Sequence, residues 1–228
     1  MKRFYKEVAV APDHSVLLDG KPIKTPARST LILPTRALAD AIAGEWAAQG
    51  SDIDTASMRF TKLANTGIDR VATMRGEVID QILAFGRADL LCYRADFPDA
   101  LVARQNGAWQ PLLDWAATRF AMRLQIGQGI GHIAQSDTAF TGAQNFLEQQ
   151  SDFALAAAHT MVGLLGSLVL TLAVLDGRSD ADAAFRLSQL DEDFQAEQWG
   201  RDAEAEVRLR NYAAEMTAAA QFLALSRP

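Results

Sequence analysis

Residues 153–175, FALAAAHTMVGLLGSLVLTLAVL, form an apolar run close to the ~20 residues a helix needs to span a bilayer. Such a run has two physical solutions, a membrane or the middle of a protein core. His159, Thr160, Ser167 and Thr171 interrupt it, Asp152 and Asp176 flank it, and no cluster of lysine or arginine marks one side as cytoplasmic. The run is therefore expected to be a buried core helix. A chain of 228 residues with 49% hydrophobic side chains has enough apolar material to wrap it.

The pattern upstream changes once. Between residues 3 and 34, FYKEVAVA and SVLLDG alternate, LDGK carries an Asp-Gly turn signal, and STLILP ends at a proline. From Thr35 the period becomes helical, beginning with Leu38, Ile42 and Trp46 at i, i+4 and i+8 and stopping at Gly50. Further helices carry Phe60, Leu63, Gly67, Val71 and Met74, then Val78, Ile82 and Phe85. Pro98 breaks the pattern, and another helix is expected to start near Pro111, a favourable first-turn residue. The fold class expected is α+β, a small β-rich N-terminal region (residues 1–34) followed by a larger all-helical C-terminal domain (35–228).

Charge and cysteine content narrow the function. The net charge of -6 gives no general attraction to nucleic acid or anionic lipid. Cys92 is the only cysteine, so an internal disulfide and a multi-cysteine metal cluster are excluded, and a cytoplasmic setting is expected. The opening MKRFYKEVAVAP alternates like a strand and is not read as an export or organelle leader. Asp191, Glu192 and Asp193 are consecutive, about 100° apart on a helix, and cannot converge on one metal ion unaided. Gly127, Gly129 and Gly131 place His132 where a dinucleotide loop needs its third glycine, and the stretch reads as a turn. No P-loop motif occurs, so ATP-driven action has no local support; no cofactor is expected.

The least ordinary residue is Trp199, in LDEDFQAEQWG. Asp180 is expected to cap one long final helix, bent at Gly200, whose apolar side carries Leu187, Leu190, Phe194, Leu209, Tyr212, Met216 and Leu223. On that wheel Trp199 falls roughly 150° from the apolar stripe. Glu192, Gln195, Asp202 and Glu206 project near it. One reading is a solvated charged face with the indole packed under a neighbouring helix. The other is a recognition surface in which an amphipathic indole among acids anchors a partner.

LDEDFQAEQWG resembles the signature of the assembly chaperones that attend the α subunit of the ATP synthase F(1) sector in mitochondria and their bacterial relatives. DGKPIKTPARSTLILPT, EWAAQGSDIDTASMRFTKLANTGID, RADLLCYRAD and QNGAWQPLLDW resemble that family's successive blocks in order, over about residues 3–210. The resemblance implies a β-rich part and a helical part, no catalytic turnover, and binding of the unassembled α subunit so that its β-facing surface is shielded until the hexamer forms. It also implies an important acid shortly after Trp-Gly. Asp202 and Glu204 flank Ala203 at that position. The partner-binding residues expected are thus Glu192, Gln195, Trp199, Asp202 and Glu204, in a chain that is monomeric when free.

Other positions in these blocks are read as structural. Asn65 and Thr66, in a polar Asn-Thr-Gly, are expected to bend a helix rather than hold a ligand. Asp89, Tyr93 and Arg94 are expected to form a polar hinge or ion pair. Trp46, Asp69, Trp109, Trp115 and Gly200 complete the structural set. Cys92 is expected to be buried and inert, and His159 a core histidine. The competing function is an enzyme with an acidic site at Glu192 and Asp202, in a cleft between the two regions.

Overall fold

The structure, a computed structural model, describes residues 1–129 and 131–227. Ile130, inside the glycine-rich stretch read as a turn, and Pro228 lie outside the described residues. Strands β1 (Val8–Val10), β2 (Val16–Leu18) and β3 (Lys21–Pro22) form an antiparallel sheet in that order, with Val8 opposite Leu18 and Leu17 opposite Pro22. The two-residue turn is made by Asp19 and Gly20, both at positive φ (49° and 76°), as an Asp-Gly hairpin demands. STLILP keeps its alternation, with Leu31 and Leu33 buried and Ile32 exposed. It pairs only through isolated bridges, Ser15 with Ile32 and Lys24 with Thr30.

The helical part begins where the period changes. Helix α1 (Arg36–Ala47) is capped by the Thr35 hydroxyl, which accepts from the Leu38 amide at 3.1 Å and donates to the Leu225 carbonyl. Helix α2 (Arg59–Thr66) is capped from outside, since the Glu45 carboxylate accepts from the amides of Phe60 (2.6 Å) and Thr61 (2.8 Å). It then widens into a π turn over Gly67–Val71, the break expected at Asn65-Thr66.

Helices α3 (Arg75–Ala84) and α4 (Asp99–Phe120) follow, with β4 (Tyr93–Arg94) between them pairing in parallel with β5 (Gly127–Gln128). Then come α5 (Thr141–Glu148), α6 (Asp152–Leu165), α7 (Leu168–Leu175), α8 (Ala181–Ser188), α9 (Leu190–Trp199) and α10 (Ala203–Ser226).

Three expectations about helices are corrected. Residues 153–175 are two helices, because Gly166 takes φ 60° and Ser167 turns its hydroxyl back to cap Leu170 at 3.1 Å. Every residue of α7 is buried, and no helix among the described residues is long and apolar enough to cross a membrane. Pro111 does not begin a helix but lies inside α4. The lost bond and ring clash cost about 3 kcal/mol, offset by burial of Trp109, Leu112, Leu113 and Ala116 on either side. The final helix is broken rather than bent. Asp180 caps only α8, accepting from Ala183 at 2.6 Å, and Gly200 at φ 76° ends α9.

The chain clusters into two compact units. One comprises residues up to Arg75, residues 151–157 and the C-terminal residues from Ala218. It buries Tyr5, Val16, Leu31, Leu38, Ile42 and Val71, and the rings of Phe60 and Phe153 lie 6.4 and 6.1 Å from Phe222. The other comprises residues 76–150 and 158–217, with Ile82, Leu91, Trp109, Met122, Leu147, Met161 and α7 at its centre.

Candidate partner-binding groove

The groove forms at the break between α9 and α10. Leu190 and Phe194 turn into the core, so Glu192, Gln195, Ala196 and Trp199, spaced i, i+3, i+4 and i+7, share the other side of α9. Gly200 stops that helix, and Asp202 starts the next by accepting the Ala205 amide at 2.7 Å. On α10, Asp202, Ala205, Leu209 and Tyr212 then fall at i, i+3, i+7 and i+10 and face the same space. With Leu164 and Gln189 they line a groove of about 410 Å³. Trp199 stands in its wall 86% exposed. An indole this exposed leaves much of its large apolar area in water, which folding alone does not favour.

The apolar phase of α10 is corrected accordingly. Met216 and Leu223 are buried as expected, whereas Tyr212 is 43% exposed and Leu209 half-buried. Both line the groove because the break at residues 200–202 starts a new helix there.

The acids of this region divide into two groups. Asp191 accepts from Gln105 Nε2 at 2.8 Å, Asp193 pairs with Arg201, and Glu197 takes both nitrogens of Arg104 at 2.7 and 2.9 Å. The Arg104 hydrogen bonds hold the Glu197 carboxyl below its ordinary range. Glu192, by contrast, is exposed with no hydrogen-bond or ion-pair partner among the described residues, and so is Gln195. Asp202 uses one oxygen for its cap and meets no cation among the described residues. Glu204 is exposed on the first turn of α10 but does not line the groove. Four of the five expected partner-binding residues therefore come together. The acidic cleft envisaged for an enzyme is corrected in position. Glu192 and Asp202 line a groove built wholly from the second unit, not one between a β-rich and a helical region.

Helix α4 holds this wall in place, through residues that periodicity alone does not single out. Arg104 grips Glu197 and lies 5.0 Å from the Phe194 ring, Gln105 joins the Ala95 amide to Asp191, and Trp109, fully buried, donates from Nε1 to the Leu187 carbonyl at 2.9 Å. Arg94, 5% exposed, stacks 5.3 Å from Trp109 and donates to the Leu91 carbonyl and Asn106. Burial pushes its guanidinium pKa down. Tyr93 sits in β4 opposite Gly127.

Asp89 and Arg94 do not pair with each other. Asp89 is fully buried and accepts from the Leu91 amide (3.0 Å), the Ser167 hydroxyl (2.7 Å) and the Val169 amide (3.0 Å), capping a 3-10 turn and α7 together. Burial raises its pKa to about 6.

The other structural positions serve local geometry. Asp69 accepts from Thr25 Oγ1 at 2.6 Å and the Ala27 amide at 2.9 Å, Trp46 packs edge-on against Tyr5, and Trp115 edge-on against Phe120. The Asn65 Oδ1 atom is buried at the end of α2, where the helix widens. Burial pushes the Cys92 thiol up to about 12, leaving it inert. His159 is half-buried and bonds Gln81 at 3.1 Å, so it is not a core residue. Among the described residues no cluster of three metal-ligating side chains occurs.

A family model described as the ATP12 chaperone protein matches residues 2–117. The mitochondrial protein atp12 of Schizosaccharomyces pombe is 25% identical over 214 residues, covering 87% of this chain and 74% of that protein. The crystal structure of Atp12 from Paracoccus denitrificans aligns with TM-score 0.90 at 41% identity, covering 99% of this chain and 98% of that one. That of a putative chaperone from Agrobacterium tumefaciens aligns with TM-score 0.91 at 42% identity, covering 99% and 86%. The family match ends before the groove, whereas the structural matches span almost the whole chain.

Proposed function

The chain belongs to the ATP12 chaperone family, and from that premise we propose that it assists assembly of the ATP synthase F(1) sector by holding the unassembled α subunit. It shields the surface that the β subunit will cover, without catalytic turnover or cofactor, and lets go as the hexamer forms. Its setting is the bacterial cytoplasm. The observation that carries this reading is Trp199, 86% exposed beside carboxylates that no cation among the described residues engages.

Holding a client that must later be released calls for a few strong anchors inside a largely polar surface, not a wide greasy patch. The groove has that composition: Trp199, Tyr212 and Leu209 beside Glu192, Gln195 and Asp202. Its wall is held by the Arg104–Glu197 and Gln105–Asp191 bonds, so little ordering entropy remains to be lost on binding.

Co-purification tests the choice of client. The tagged chain, expressed with the α and β subunits of its own synthase, is expected to retain α and leave β in the flow-through. Equal retention of both subunits, or of neither, would overturn the reading.

A further inference from the structure

We propose that the groove recognises a single arginine side chain of its client, the guanidinium lying on the Trp199 indole and pairing with Glu192 and Asp202. This deepens the reading of the groove as the client site and rests on it.

The second unit shows how this chain arranges its own arginines. Arg104 lies 5.0 Å from the Phe194 ring and grips Glu197. Arg119 lies 5.1 Å from the Phe120 ring and takes both oxygens of Asp176 at 3.0 and 2.9 Å. Arg87 lies 5.9 Å from the Phe140 ring and pairs with Asp137. In each case a planar cation is held between an aromatic face and a carboxylate. Trp199 with Glu192 and Asp202 supplies the aromatic face and the carboxylates of a fourth such set, lined around one groove, and no cation among the described residues completes it.

The chemistry favours arginine over other occupants. Indole has the strongest attraction of the aromatic faces for a cation. A guanidinium is weakly hydrated, stacks flat and presents a fork of donors, whereas a lysine ammonium is a compact, strongly hydrated point charge. A neutral apolar segment would cover the charges of Glu192 and Asp202 without a compensating cation, which burial penalises.

The groove's own cations set the limit. Arg201 is neutralised by Asp193. Arg208 lines the groove without a partner among the described residues, six residues beyond Asp202 and therefore about 9 Å along α10. It repels a second positive charge and admits an isolated arginine rather than a basic run.

Peptide binding read by tryptophan emission tests this. Trp199 is the exposed indole, with Trp109 buried and Trp46 and Trp115 half-buried, so a ligand on it shifts the exposed fraction of the signal. The probe is a blocked pentapeptide of alanine and leucine with one central arginine, compared with citrulline and lysine at that place. The arginine peptide is expected to bind saturably, citrulline roughly tenfold more weakly or worse, and lysine in between. W199F removes that reporter and shows that the signal change arises at Trp199.

Equal binding of the arginine and citrulline peptides, or no saturable change with the arginine peptide, overturns the proposal. α-subunit capture is measured on the same preparation. If capture persists while the arginine peptide fails, arginine recognition is wrong and the client reading stands. Loss of capture removes both.

Discussion

Replacing Trp109 by alanine lowers the melting temperature on the order of 10 °C. The indole is fully buried, its N–H satisfies the Leu187 carbonyl, and its face carries the Arg94 guanidinium. Truncation opens a cavity, leaves a carbonyl unpaired and takes the aromatic partner from a buried cation. Large aromatic-to-alanine changes of this kind cost about 3–5 kcal/mol, and in a chain of this size each kcal/mol moves the melting point about 2–4 °C. Trp109→Phe restores most of the volume but not the N–H, and loses roughly 1–2 kcal/mol. Thermal melts of the two variants check the order. A fall of less than about 3 °C for Trp109→Ala would show that α4 does not anchor α8 as described.

Asp89 has the second large effect, and it depends on pH. Asp89→Ala leaves the Leu91 amide, the Ser167 hydroxyl and the Val169 amide without their acceptor in a fully buried site, costing about 3 kcal/mol or more. Asp89→Asn keeps one oxygen for Leu91 and Ser167 but turns an amide nitrogen toward the Val169 N–H, so it costs less.

Burial raises the folded pKa to about 6, above the unfolded value near 3.9. Between those values the folded chain binds the extra proton. Stability from this group is therefore full below about pH 4, falls as pH rises to about 6 and is flat beyond. Denaturant unfolding of the wild-type chain and Asp89→Asn across pH 4–7 should show that slope in the difference between them. A difference independent of pH, or one of opposite sign, would contradict it.

The strand-to-helix change was legible at Thr35 because local signals agree there, alternation before it and a capping hydroxyl with helical spacing after it. The side on which Trp199 lies was legible for a similar reason, because Leu190 and Phe194 fix the phase of the helix. That phase left open whether the indole packs under a neighbouring helix or stands in solvent, and the structure leaves it 86% exposed.

Breaks hidden inside strong patterns were not legible. Gly166-Ser167 lies within an apolar run whose hydropathy does not change across the turn, and the carboxylate that bonds the capping serine comes from Asp89, far away in sequence. Pro111 misled in the opposite direction, because tertiary burial on both sides outweighed a local breaker. Past Gly200 the wheel assumed unbroken helix. Residues 200–202 restart the phase, so Leu209 and Tyr212 face a groove and not the core. The roles of Arg104 and Gln105 were invisible because their partners, Glu197 and Asp191, lie on another helix.

The most direct measurement of the central claim is α-subunit capture by Trp199→Ala, with melting temperature recorded alongside. Exposed as it is, the indole contributes little to folding, so the melting temperature should change by no more than about 2 °C, while capture falls at least about tenfold, as for a central aromatic anchor. Asp202→Asn, which keeps the cap on Ala205 and removes the charge, should weaken capture less, on an intact fold. Undiminished capture by a folded Trp199→Ala chain would contradict the account and move the client surface elsewhere on the molecule.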